Sequence, residues 1–148
     1  MYRTVRDTKH LADVKPTAEE LKTVADLRSA LRRFAIATEA VTRAHGLTPR
    51  QYDLLAVLHA PGEPPTPSAL ATSLSLSRSA TTELLSRAVE AGLVSRSLDE
   101  RDGRIKHVAP TEEGSRRYLA AVGQLRSDRA RLVELLTTAA GLAALLAS

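Results

Sequence analysis

The 148-residue chain has no cysteine and no tryptophan, and only one phenylalanine and three tyrosines. Without thiols there can be no disulfide, no thiolate zinc site and no cysteine redox switch. With aromatics at 3% and apolar residues at 43%, the core must be built from leucine, valine and alanine, a composition that suits helices. Long apolar runs are missing too. The most apolar stretch, Leu135 to Ala147, is interrupted by Thr137, Thr138 and Gly141 and falls short of the ~20 residues a membrane-spanning helix needs. The basic start, Met1 to Lys15, is not followed by the apolar region of a secretory signal. These absences lead us to expect a soluble, cytoplasmic protein with no membrane partner.

Catalytic and metal-binding patterns are equally scarce. His10, His45, His59 and His107 lack close ligand spacing, and no nucleophile elbow, phosphate-cradling glycine loop or carboxylate cluster occurs. The expectation is no enzyme, no cofactor and no metal. Charge is slightly positive, with 21 Lys and Arg against 17 Asp and Glu. The excess lies early: residues 1–50 hold ten basic and six acidic side chains, whereas residues 78–117 hold eight and seven. Any polyanion partner must therefore be recognised by the placement of individual cations rather than by bulk charge.

What is present is a chain of helix signals. Thr17-Ala18-Glu19-Glu20 is a capping box, followed by an apolar stripe from Leu21 to Val41 that ends at His45 and Gly46. Thr48-Pro49-Arg50-Gln51 is a second box with proline in the first helical position, and Leu47 can staple onto Tyr52. After the break at Pro61-Gly62-Glu63-Pro64-Pro65, a short helix starts at Thr66-Pro67. A tight turn, Ser75-Leu76-Ser77, leads to a helix from Arg78 to about Ala91 with Ala80, Leu84, Leu85, Ala88 and Val89 on its inner face. The spacing is that of a helix-turn-helix. Thr111-Glu112-Glu113-Gly114 opens one last long helix through Leu136, with a separate Ala/Leu-rich segment after it.

Between these helices stand two short strand-like runs, Leu93 to Leu98 and Ile105 to Ala109, joined by Asp99-Glu100-Arg101-Asp102-Gly103-Arg104. Asp102-Gly103 supplies hairpin turn chemistry, so Arg101 and Arg104 project from a narrow wing able to enter a minor groove. Lys106, on a strand flank, could add a phosphate contact. On the preceding helix, Ser77, Arg78, Ser79, Thr81 and Thr82 form a small, hydroxyl-rich face suited to base edges and phosphates in a major groove. Alone, such a helix reads as an ordinary solvated one. The charged hairpin directly behind it favours recognition of double-stranded DNA.

The order of long helix, helix, Ser-rich helix-turn-helix, Gly92-Leu93-Val94, Asp99-x-Arg101-Asp102-x-Arg104 and Thr111-x-x-Gly114 resembles the MarR family of winged-helix transcriptional regulators. The resemblance spans about residues 20 to 136. It implies a mainly α fold with a small β-hairpin wing: one domain over 1–148, winged helix-turn-helix at about 48–110, dimerisation helices at about 17–46 and 111–148. It also implies a homodimeric, ligand-responsive repressor on a pseudo-palindromic operator, with a small aromatic or anionic effector. In such relatives the effector lies between the dimer helices and the winged lobe, which here would gather Arg43, Arg50, Tyr52, His59 and Tyr118. Two departures stand out: Pro110 replaces the leucine usual before the threonine, and Glu83 puts a carboxylate on the recognition helix. The competing interpretation is a winged-helix module that docks another protein through a nearly neutral face, without specific DNA binding.

Overall fold

The computed structural model describes residues 15–98 and 100–146, with the side chains of that span apart from Lys106 and residues 139–146. The elements run α1 (Ala18–Ala44), α2 (Pro49–His59), α3 (Pro67–Ser73), α4 (Arg78–Glu90), β1 (Val94–Leu98), β2 (Ile105–Pro110), α5 (Glu112–Gln124) and α6 (Arg126–Leu146). Both capping boxes form: the Glu20 amide donates to Thr17 Oγ1 at 3.1 Å, the Gln51 amide to Thr48 Oγ1 at 3.2 Å, and each N3 side chain reaches back to its cap amide. Each box satisfies N–H groups that a helix start otherwise leaves open. Among the described residues, no helix is long and apolar enough to cross a membrane.

The core gathers where α2, α3, α4 and the hairpin meet, on Leu54, Leu55, Leu70, Leu85, Leu93 and Val108. The hairpin is antiparallel, pairing Val94 with Pro110 through Ser97 with His107, then Leu98 with Ile105, so Lys106 is an extra residue on β2. That bulge turns the wing. Pro110 closes the ladder rather than shortening it, since a missing N–H matters least at a strand end. At the tip, Gly103 takes φ +68°, and the Arg104 amide donates to Asp102 Oδ1 at 3.0 Å.

The seam between the hairpin and α5 explains the Thr111-x-x-Gly114 spacing. Thr111 Oγ1 donates to the Gly92 carbonyl at 2.6 Å and accepts from the Gly114 amide at 3.0 Å, while the Thr111 amide donates to the Leu93 carbonyl at 3.0 Å. A methyl group on Gly114 would stand 2.0 Å from the Leu93 oxygen. Glycine is required here by close approach of two backbones.

The last helix departs from expectation. Instead of one long helix and a separate terminal segment, it breaks at Leu125, and the Ala/Leu-rich stretch continues α6. Leu125 is fully buried at the bend, and Arg129 Nη1 donates to the Val122 carbonyl at 3.2 Å, taking up an acceptor at the C-terminal end of α5. Beyond it, α6 packs along α1.

A second link ties α5 to the turn after α1. Arg117 Nη1 donates to the Gly46 carbonyl at 3.1 Å, and Nε donates to Glu113 Oε1 at 2.7 Å. Hydrogen bonds from Arg116 and then Arg117 hold the Glu113 carboxyl down to about 2. A carboxyl lowered in the folded state stabilises the protein above its ordinary value of 4.5, and that contribution fades as pH falls from 4.5 toward 2. Glu113→Gln is expected to flatten the acid limb of a stability-versus-pH curve in that window. An identical acid limb in the variant refutes the assignment.

Candidate nucleic-acid interface

Helix α4 presents its N-terminal half to solvent. Arg78, Ser79 and Thr82 are exposed, as are Glu83 and Arg87 on the next turns. Ser77 is the cap: its oxygen accepts from the Ala80 amide at 3.2 Å and lies 3.1 Å from Ser79 Oγ. Thr82 Oγ1 donates to the Arg78 carbonyl at 2.9 Å, which leaves its lone pairs outward as acceptors.

Thr81 departs from the expectation that it reads bases. It is 2% exposed, and its hydroxyl donates to the Ser77 carbonyl at 2.9 Å. The inner face of α4 runs Thr81, Leu84, Leu85 and Ala88, whereas Ala80 and Val89 are only partly buried. The threonine methyl counts as apolar surface once its hydroxyl is bonded within the helix.

The wing and α4 share one opening. A cleft of about 460 Å³ is lined by Arg78, Thr81 and Thr82 of α4, by Arg104 and Ile105 of the wing, and by Thr66, Pro67 and Ser68 at the start of α3. Arg104 keeps an 87% exposed side chain even though its Nε lies 3.4 Å from Asp102 Oδ2. Asp102 aims the guanidinium while leaving most of its surface to solvent. Arg101 is exposed at the same tip. Asp99, and the side chain of Lys106, lie outside the described residues.

Of the five residues expected around an effector, three converge. The Tyr52 and Tyr118 rings stand 5.2 Å apart at 48°, and His59 stacks on Tyr118 at 4.7 Å. His59 Nδ1 lies 2.8 Å from the Leu55 carbonyl, an acceptor only, and Nε2 lies 3.1 Å from Ser115 Oγ. A neutral ring therefore donates from Nδ1 and accepts from Ser115. Burial raises the pKa of both phenols, and the positive charge of Arg129 opposes the rise.

Arg43 and Arg50 are not with them. Arg43 pairs with Glu39 at 2.6 Å on the outer surface of α1. Arg50 lines a different cleft, of about 320 Å³, with Gln51, Glu83 and Arg87. The cation beside the phenols is Arg129, which the sequence reading missed. No local signal marked it: Tyr118 lies on α5 and Arg129 on α6, on opposite sides of the break at Leu125.

A family model described as MarR family matches residues 45–105. No protein of curated function is significantly similar in sequence. Solved structures similar to this chain include AbsC, a MarR family transcriptional regulator from Streptomyces coelicolor, at 24% identity over 90% of this chain and 97% of that one, TM-score 0.65. A MepR variant from S. aureus, solved bound to an oligodeoxyribonucleotide, is 20% identical over 90% and 98%, TM-score 0.62. CouR from Rhodococcus jostii, solved bound to p-coumaroyl-CoA, is 28% identical over 71% and 73%, TM-score 0.58. Residues 45–105 thus match the MarR family model, and the chain as a whole shares the winged-helix fold of these solved structures.

Proposed function

We propose that this chain is a transcriptional regulator that binds a pseudo-palindromic operator in double-stranded DNA as a homodimer and represses until a small aromatic or anionic ligand releases it. The observation that carries the reading is the shared opening of Arg78 on α4 and Arg104 on the wing, beside the outward hydroxyls of Ser79 and Thr82. Helix and wing can then engage adjacent grooves of one duplex, Arg78 and Arg101 at phosphates, Arg104 in the minor groove. That a MepR variant of this fold was solved bound to an oligodeoxyribonucleotide supports DNA as the partner.

Pairing of two chains is supported by apolar side chains left exposed on the terminal helices, among them Leu21, Val24, Leu31 and Ile36 on α1 and Val133 and Leu136 on α6. Packing of α6 on α1 within one chain does not cover them. In a symmetric pair the two recognition helices must sit about 34 Å apart, one DNA turn. A ligand among Tyr52, His59, Tyr118 and Arg129 would lie where α2 meets α5 and could alter that separation; the p-coumaroyl-CoA complex of CouR supports an aromatic thioester or acid as its class.

Titration of labelled promoter DNA at several salt concentrations tests the reading. The expected result is two chains per site and a steep negative slope of log affinity against log salt. The second reading, a protein-docking module, draws on the Glu83–Arg87 ion pair that neutralises part of the α4 face; a flat slope or no binding favours it. In the same assay Thr81→Val is expected to keep the base preference of the unaltered protein, because the side chain faces inward. A changed preference contradicts that placement.

A further inference from the structure

Glu83 lies within the exposed face of α4, one turn beyond Ser79 and next to Thr82. A carboxylate there is expensive on a surface that meets phosphates, since it repels them wherever it does not find a donor. It is not left bare. Arg87 Nη2 donates to Glu83 Oε1, an i,i+4 pair in which both side chains stay largely exposed, at 62% and 70%. The ion pair occupies one oxygen, while Oε2 takes part in no described hydrogen bond. Helix geometry separates the two roles. Thr81, Leu84, Leu85 and Ala88 define the buried side; at 100° per residue the opposite direction falls among Ser79, Glu83 and Ser86, with Arg87 rotated toward the α2 side. Glu83, Arg87 and Arg50 all border the cleft between α2 and α4, and of the two α4 side chains Glu83 lies nearer the direction opposite the buried side.

Resting on the DNA-binding reading above, we propose that Glu83 is a specificity-determining residue that selects cytosine, accepting a hydrogen bond from its exocyclic N4 amino group, with Arg87 as the positioning residue that holds the carboxylate and offsets its charge. Cytosine fits because it offers only a donor at its major-groove edge, whereas guanine offers two acceptors that a carboxylate would repel. Adenine presents a donor beside an acceptor and is second best. Each half-site therefore contains one position at which cytosine is favoured roughly tenfold.

The test is selection of bound sequences from a randomised duplex library by the full-length protein and by Glu83→Gln and Arg87→Ala. The unaltered protein is expected to enrich a two-fold symmetric motif with cytosine at one position per half-site. Glu83→Gln, which keeps shape and removes charge, is expected to shift that position to adenine, whose N6 and N7 suit an amide, and to raise affinity for random DNA a fewfold. Arg87→Ala is expected to keep the cytosine and weaken binding. A symmetric motif that Glu83→Gln leaves unaltered overturns this assignment alone, as does loss of the preference in Arg87→Ala but not in Glu83→Gln, which would make Arg87 the reader. Enrichment of no motif by the unaltered protein overturns both the assignment and the DNA-binding reading.

Discussion

Gly114→Ala is expected to destabilise the protein by about 3 kcal/mol, at the upper end of what overpacking a well-filled site produces. The added methyl would meet the Leu93 carbonyl oxygen at 2.0 Å, its carbon at 2.8 Å and the Leu93 Cα at 3.1 Å. All three are backbone atoms of a fully buried residue, so no side chain can swing away to make room. Relief requires moving α5 off the hairpin, which breaks the Thr111 bonds to Gly92 and Leu93 together. Urea unfolding should show a lower midpoint with the slope unchanged. Gly123→Ala provides the control: nothing lies within 4 Å of its added carbon, and it is expected to be neutral or to stabilise by up to about 1 kcal/mol through helix propensity. Equal midpoints for Gly114→Ala and the unaltered protein would refute the close-approach account of the seam.

Arg104→Ala is expected to weaken operator binding by about 1–3 kcal/mol and to lower the steepness of the salt dependence by about one per wing. Folding stability should stay within about 0.5 kcal/mol, because the guanidinium is 87% exposed and its contact with Asp102, at 3.4 Å, is a surface ion pair. The combination matters more than either half. A loss of affinity accompanied by unfolding would point to damage at the hairpin tip, and unchanged affinity would remove the wing from the DNA interface. Asp102→Asn separates aiming from charge: it keeps the turn oxygen that accepts from the Arg104 amide and removes the carboxylate beside the guanidinium.

Several features of this fold could be read directly from short spans. The capping boxes at Thr17 and Thr48 and the Asp102-Gly103 tip each involve side chains and amides within three residues of one another. Such bonds form wherever the local backbone adopts the turn, so residue order suffices to find them. On α4 the expected inner face shares Leu84, Leu85 and Ala88 with the observed one, and Ala80 and Val89 are its partly buried edges. Only Thr81 was assigned to the wrong side. Threonine misleads a polar-versus-apolar reading when its hydroxyl is satisfied inside its own helix.

The aromatic cluster shows the same division at longer range. Tyr52, His59 and Tyr118 met as the family resemblance implied, but the accompanying cation came from Arg129 rather than from Arg43 or Arg50. Arg43 instead pairs with Glu39 on α1, and Arg50 lines the cleft between α2 and α4. Arg129, at the start of α6 just past the break at Leu125, acts electrostatically on both phenols.

Helix starts and the turn of the wing were properties of the linear chain, because each depends on backbone conformation and hydrogen bonds over a few neighbouring residues, whereas the glycine at 114 answers the backbone of Leu93, a distant residue of the chain. The common opening of Arg78 and Arg104, the burial of Thr81 and the break at Leu125 were decided only by packing. They depend on which surfaces of distant segments exclude water against one another, and residue order alone carries little of that information.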